Sequence, residues 1–195
     1  IVDQLKIPNA DQYISSFDRK NIELEVRPAD GRAKQIIRFI QKNPGESGIV
    51  YCLSRKNTEQ IAKKLNENGI NADAYHAGLS FDDRSRVQED FIYDKTQVVC
   101  ATVAFGMGID KSNVRWVIHH NMPKNIEGYY QETGRAGRDG GKGDLITFYD
   151  YKDIEKLENF LSGPGAGARY EAAVEEGLAT CEFNEDLLLL KEKTP

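Results

Sequence analysis

From about residue 22 to residue 161, short apolar runs alternate with stretches whose apolar residues recur at helical spacing. This alternation restricts the fold more than any other feature of the chain. An unbroken apolar run is the mark of a strand covered on both faces, and strands interleaved with helices are joined by crossovers rather than hairpins. Gly48-Ile49-Val50-Tyr51-Cys52-Leu53, Val98-Val99-Cys100-Ala101 and Val114-Arg115-Trp116-Val117-Ile118-His119 read as such strands. Ile22-Glu23-Leu24-Glu25-Val26 alternates instead, as a half-exposed strand does. Ala72 to Tyr75 and Leu145 to Tyr149 supply two more.

The intervening segments carry helical stripes. Ala33, Ile36, Ile37 and Ile40 share one face; Thr58, Ile61, Ala62 and Leu65 share another, in a helix that stops at Gly69. Ser80-Phe81-Asp82-Asp83 has the form of a capping box opening a helix through Val87 and Phe91. Ile126, Tyr129 and Tyr130 fit a short helix before Gly134, and Ile154, Leu157 and Leu161 a closing one. The fold expected is α/β, with a mainly parallel sheet wrapped by helices on both faces. Ligands of such sheets gather beyond the carboxyl ends of the strands.

The 195 residues make one domain, or one domain and part of another. Ser162-Gly163-Pro164-Gly165-Ala166-Gly167-Ala168 breaks the pattern, and an acidic, leucine-containing tail follows. The expected division is a linker over 1–20, the α/β domain over 21–162, and a linker with the start of a further region over 163–195. Ile1 stands where an initiator Met would, which suits a piece of a longer protein. No run approaches the roughly 20 apolar residues of a membrane span, so no membrane partner is expected. Cys52 and Cys100 lie in strand-like runs and Cys181 lies far away, which fits buried thiols and a reducing, cytoplasmic setting. Net charge is −5, but residues 151–195 hold 5 basic and 10 acidic side chains, leaving 21 of each before them. Contact with a polyanion must therefore come from local placement of arginines, amides and helix N-termini.

Three segments that follow strands stand out: Ser54-Arg55, His76-Ala77-Gly78 and the run from Thr102 to Lys111. The last passes Gly106 and Gly108, whose missing Cβ lets backbone amides approach phosphate oxygens. It is not a Walker A loop, because Asp110 stands before Lys111-Ser112 where that motif needs Gly-Lys-Ser/Thr, and no other such loop occurs. A fourth segment places Arg135 and Arg138 three residues apart among glycines. It reads either as a glycine-rich turn with solvated arginines or as guanidinium groups reaching toward phosphate held by another domain. His119 and His120 fit a strand end; no metal-ligand spacing and no Ser–His–Asp or Cys–His arrangement stands out.

Ile49 to Arg55, Ala74-Tyr75-His76-Ala77-Gly78-Leu79, Ala101 to Lys111 and Tyr129-Tyr130-Gln131-Glu132-Thr133-Gly134-Arg135-Ala136-Gly137-Arg138-Asp139-Gly140 together resemble the second RecA-like domain of RecQ helicases, in order and spacing, over roughly residues 20–160. The resemblance implies a three-layer αβα lobe of P-loop NTPase type without its own phosphate loop. It implies half of a 3′→5′ DNA-unwinding motor driven by ATP and Mg2+, acting in recombination and repair, and near the nucleoid in a bacterium. The first RecA-like lobe of the same chain would hold the magnesium, and single-stranded or branched DNA would be the other partner.

Carried over by motif, Arg138 would reach the γ-phosphate and Arg135 would support the cleft. Gly108 and Asp110 would line its nucleotide side, and Gln131, also on the ATP site, would couple the cleft to DNA. Ser54, Arg55, His76, Gly78 and Thr102 would line the DNA side, with Ser54 free to act also as a helix N-cap. Only Cys181 is available for the zinc module that usually follows in that family, so no zinc is expected here. The fragment alone should not hydrolyse ATP. Two other readings are the matching lobe of an RNA helicase of superfamily 2 and a binding module that keeps the fold without motor function.

Overall fold

The structure is a computed structural model that describes residue 6 and residues 19–105, 109–123 and 125–151. Gly108, the expected closing helix and the tail with Cys181 lie outside the described residues. Six strands form one sheet: β1 (Ile22–Pro28), β2 (Ser47–Tyr51), β3 (Ala72–Tyr75), β4 (Val98–Ala101), β5 (Val114–His119) and β6 (Gly143–Tyr149). Their order across it is β1-β6-β5-β2-β4-β3, and every neighbouring pair is parallel. Four helices are interleaved: α1 (Arg32–Lys42), α2 (Arg55–Glu67), α3 (Phe81–Ile92) and α4 (Ile126–Thr133).

Direction of travel decides which face each connection covers, since parallel crossovers are right-handed. The chain moves one way across the sheet from β1 to β2 to β3, and α1 and α2 pack together on one face. Their Ile36, Ile40, Ile61 and Leu65 meet Val50, Cys100, Trp116, Ile118 and Phe148. The chain then reverses, from β3 through β4 and β5 to β6, and these connections cover the other face. There Val87 and Phe91 of α3 join Phe105, Ile109 and Ala136 over Tyr51, Val99, Val117 and Leu145. The sheet is thus covered on both sides, as the unbroken apolar runs require.

Local chemistry starts three of the four helices; α1 instead follows Gly31 in a left-handed conformation, with no side-chain cap. Ser54 and Ser80 accept hydrogen bonds at Oγ from the amides of Asn57 and Asp83, three residues on, and Asn125 Oδ1 accepts from Gly128 N at 2.7 Å. Edge position shapes β1, where Leu24 and Val26 are exposed together with Glu23 and Glu25. The alternation of this strand therefore reports its place at the sheet margin rather than a buried face. At the centre, Gly48 faces Trp116 of β5 in register, and a Cβ there would overlap the indole ring.

Gly48→Ala should accordingly destabilise the fold by about 1–3 kcal/mol, the usual cost of overpacking a filled core. Urea unfolding followed by Trp116 fluorescence measures it; unchanged stability would show that the ring can move aside.

Candidate functional site

In an all-parallel sheet each connection must travel back along the length of the strands before the next one starts. The segment from Thr102 to Asp110 leaves the carboxyl end of β4 and arrives before the start of β5. The next connection leaves β5, runs through α4 and the arginine segment, and arrives before β6. Their described residues share one face, where Phe105, Ile109 and Ala136 join one core, and they touch. Arg138 donates from a terminal guanidinium nitrogen to Ile109 O at 3.4 Å and from Nε to Gly134 O at 3.1 Å. Tyr51 Oη donates to Phe105 O at 3.1 Å from the sheet beneath.

The arginine segment is held by backbone more than by side chains. Gly137 has a left-handed φ of 58°, and its amide donates to Val114 O at 2.8 Å. Arg19 donates to Ala136 O and Gly137 O at 2.7 and 2.9 Å, and Asn21 Nδ2 to Gly137 O and Gly141 O at 3.0 and 2.7 Å. A Cβ on Gly137 would meet Gly141 O and Asn21 Nδ2 at 2.6 and 2.7 Å, so the clamp needs glycine there. Asp139 accepts from Gly141 N and from Arg115, and these bonds hold its carboxyl below the usual range.

The two arginines differ. Arg138 is exposed and bound only to carbonyl oxygens among the described residues. Arg135 is half-buried, with its Nε shielded and without a hydrogen-bond partner among the described residues. Tyr51 feels it: burial pushes the phenol pKa well up, against the opposing pull of the Arg135 charge. Gln131 on α4 and Asp110 on the neighbouring connection are both exposed.

A second group of expected residues lies along the carboxyl ends of β2, β3 and β4. Arg55 is the first residue of α2, and its guanidinium reaches the turn after β3, where a Cβ on Gly78 would lie 3.0 Å from it. The Gly78 amide donates to His76 Nδ1 at 3.2 Å, and the opposite ring nitrogen lies 3.1 Å from Glu59 Oε1. Nδ1 is thereby the acceptor, and Nε2 carries the proton that Glu59 accepts. His76 is buried and fully engaged, so it shapes the Gly78 turn rather than offering a free donor. Thr102 is half-buried, its amide donating to Tyr75 O, and its hydroxyl has no hydrogen-bond partner among the described residues. The ledge presents Ser54, Arg55, the exposed Gly78 turn and Thr102: hydroxyls, amides and one fixed cation, chemistry suited to phosphate oxygens and blind to bases.

Several residues that build this site escaped the sequence reading. Arg19 and Asn21 gave no local signal, and Tyr51 and Glu132, though inside the RecQ-like motifs, gave no sign of their roles, because their partners lie on other elements. Lys111 did belong to a highlighted run, but its side chain is 2% exposed and bonds Asp94 Oδ1 at 2.6 Å over the Phe91 ring. It anchors the end of the glycine-containing connection to α3. The Cys52 thiol, pushed up to about 12 by burial, and Cys100, also raised by burial, are core residues. Among the described residues no helix is long and apolar enough to cross a membrane.

The helicase conserved C-terminal domain family matches residues 31–140. The chain is 48% identical over 161 residues to the ATP-dependent DNA helicase RecQ of Haemophilus influenzae, covering 83% of this chain and 26% of that protein. It is 48% identical over 163 residues to the RecQ-like DNA helicase blm-1 of Caenorhabditis elegans, covering 82% and 16%. It thus spans about a quarter or less of the length of these relatives. A DEAD box protein from the hyperthermophile Methanococcus jannaschii shares its architecture, with a TM-score of 0.60 and 32% identity over 72% of this chain and 39% of that one.

The Lys111 anchor can be tested by pH. Its hydrogen bond, with a smaller opposing effect of burial, holds the Asp94 carboxyl below its ordinary value. A depressed folded-state value gives stability that is complete above the unfolded carboxyl pKa of about 3.9 and is lost as pH falls through the folded value. Asp94→Asn should cost roughly 1–3 kcal/mol at pH 7 by weakening the buried ammonium's pairing. The difference from wild type should hold to about pH 5 and shrink below about pH 4. Denaturant unfolding at these pH values checks it, and a difference that did not shrink would contradict the pairing.

Proposed function

Because the chain belongs to the helicase conserved C-terminal domain family and is closely related to RecQ DNA helicases, we propose that it is the second motor lobe of a RecQ-like 3′→5′ ATP-dependent DNA helicase. The observation that carries this reading is the contact between the two return connections. One begins at Thr102 on the ledge; the other carries Arg138, an exposed cation with only carbonyl partners among the described residues. A lobe built this way ties a grip on a strand to a charge that can be offered elsewhere.

In the proposal, ATP is clamped between this lobe, over residues 21–162, and a first RecA-like lobe of the same polypeptide that also holds Mg2+. The nucleotide supplies the phosphoryl group whose transfer drives the motor. The residues here fit that guest: guanidinium groups match phosphate oxygens in charge and geometry. Arg138 turns from its carbonyls toward the γ-phosphate and stabilises charge that develops during transfer. Asp110 and Gln131 border the nucleotide, and Gly108 completes that border. Ser54, Arg55, the turn shaped by His76 and Gly78, and Thr102 hold the backbone of single-stranded DNA, including the strands of branched substrates. The setting is intracellular, wherever DNA is kept, and residues 163–195 open the region that follows the motor.

In the full-length protein, Arg138→Ala should lower DNA-stimulated ATP turnover by roughly 10³-fold or more, while nucleotide affinity changes little. Steady-state turnover with a binding titration reads both, and unchanged turnover would reject the role given to Arg138. Thr102→Ala should weaken binding of single-stranded DNA about equally for oligonucleotides of different sequence, because a phosphate contact carries no base information. A loss confined to one sequence in anisotropy titrations would contradict this placement.

A further inference from the structure

His119 is a fully buried imidazole at the end of β5 that the proposed motor chemistry does not use. Its Nε2 lies 2.7 Å from Glu132 Oε2, and that carboxylate is itself nine-tenths buried. The ring is stacked on Tyr51 of β2, with centroids 5.6 Å apart and planes at 19°, and tilted against Tyr129 of α4 at 5.2 Å. Nδ1 has no hydrogen-bond partner among the described residues. A carboxylate only accepts, so the proton that matters sits on Nε2.

Three elements meet at this point. Tyr51 ends β2, three residues before Ser54, and its hydroxyl holds Phe105 of the Thr102–Asp110 connection. His119 ends β5. Glu132 and Tyr129 belong to α4, one turn before Arg135. Glu132 and Arg135 both act on the Tyr51 hydroxyl, whose pKa burial raises. Arg135, half-buried with a shielded Nε, is tied to Glu132 through the backbone, its amide donating to Glu132 O at 3.3 Å. Removing one member of such a buried group leaves an uncompensated polar atom, so the members keep one another in place.

We propose that Tyr51, His119 and Glu132 form a positioning cluster that sets Arg135, and with it the segment leading to Arg138, against the ends of β2 and β5. None of the three touches a reacting atom. Their effect passes through the arginine segment, and Tyr51 places the DNA-facing strand end in the same cluster. This inference rests on the motor-lobe reading. It adds that Arg135 is the fixed member of the arginine pair and Arg138 the one presented to the nucleotide.

The experiment compares Glu132→Ala, Glu132→Gln, His119→Phe and the double variant His119→Phe with Glu132→Ala in the full-length protein. His119→Phe keeps a ring for Tyr51 and Tyr129 to pack on while removing the donor; Glu132→Gln keeps an oxygen acceptor. DNA-stimulated kcat should fall between about 10- and 10²-fold in Glu132→Ala and in His119→Phe, the scale of a small misplacement of a catalytic group. KM for ATP and Kd for single-stranded DNA should stay within about 3-fold, because the contacts to both are intact. The double variant should be no slower than the worse single, and Glu132→Gln should recover most of the loss, as expected of one shared interaction.

Turnover within about 2-fold of wild type in both singles would overturn the inference, and so would additive losses. Equal losses in kcat, DNA affinity and thermal stability would overturn it too, by reducing the cluster to a packing element. Absence of DNA-stimulated turnover in the unsubstituted protein is a separate result: it would overturn the motor-lobe reading and this inference with it.

Discussion

Parallel strands cannot be joined without a return path, and that constraint organises everything functional in this lobe. Each connection between adjacent parallel strands runs the length of the sheet, so residues at its two ends belong to opposite margins. After β3 the chain reverses direction, and right-handed crossovers then put consecutive return paths on one face. The β4–β5 path carries Thr102 at one end and Asp110 at the other; the β5–β6 path carries α4 and the arginines. Their contact, through Arg138 and Ile109 O, is a consequence of topology before it is a feature of any motif.

Within that frame the arginine segment combines rigidity with reach. Arg19, Asn21 and the left-handed Gly137 clamp its backbone to the sheet. Arg135 is half-buried near Tyr51, while Arg138 is exposed with only carbonyl partners among the described residues. A guanidinium bound to carbonyls gives up little when a phosphate arrives, because charged acceptors bond it more strongly. Preorganisation of this kind suits electrostatic catalysis, in which position and not chemistry is what the protein contributes.

Much of the architecture was legible from periodicity. Ala72–Tyr75, Val98–Ala101 and Val114–His119 are strands over the residues expected, and the serines at 54 and 80 cap their helices. Period and capping are local properties, which is why a sequence displays them. The exposure of Leu24 and Val26 was hidden, because an alternating strand looks the same at an edge and over a core. The ledge and the arginine segment could be named by motif, yet how their members are held could not. His76 stands among phosphate-facing candidates but spends both ring nitrogens on Gly78 and Glu59. Lys111, beside two glycines in a candidate phosphate loop, is buried on Asp94. Glu132 sits inside the most specific motif and still gave no hint of His119, thirteen residues earlier on another element. Pairings between elements are set by the fold, and no spacing rule along the chain encodes them.

The central claim is that this lobe delivers one mobile cation, Arg138, to a nucleotide held by a partner lobe while the rest of its segment stays fixed. A structure of the full-length protein with single-stranded DNA and a non-hydrolysable ATP analogue tests that most directly. The account predicts the Arg138 guanidinium at hydrogen-bond distance from the terminal phosphate, released from Ile109 O, with Arg135 still beside Tyr51. Arg138 directed into solvent with both lobes closed on the nucleotide would contradict it.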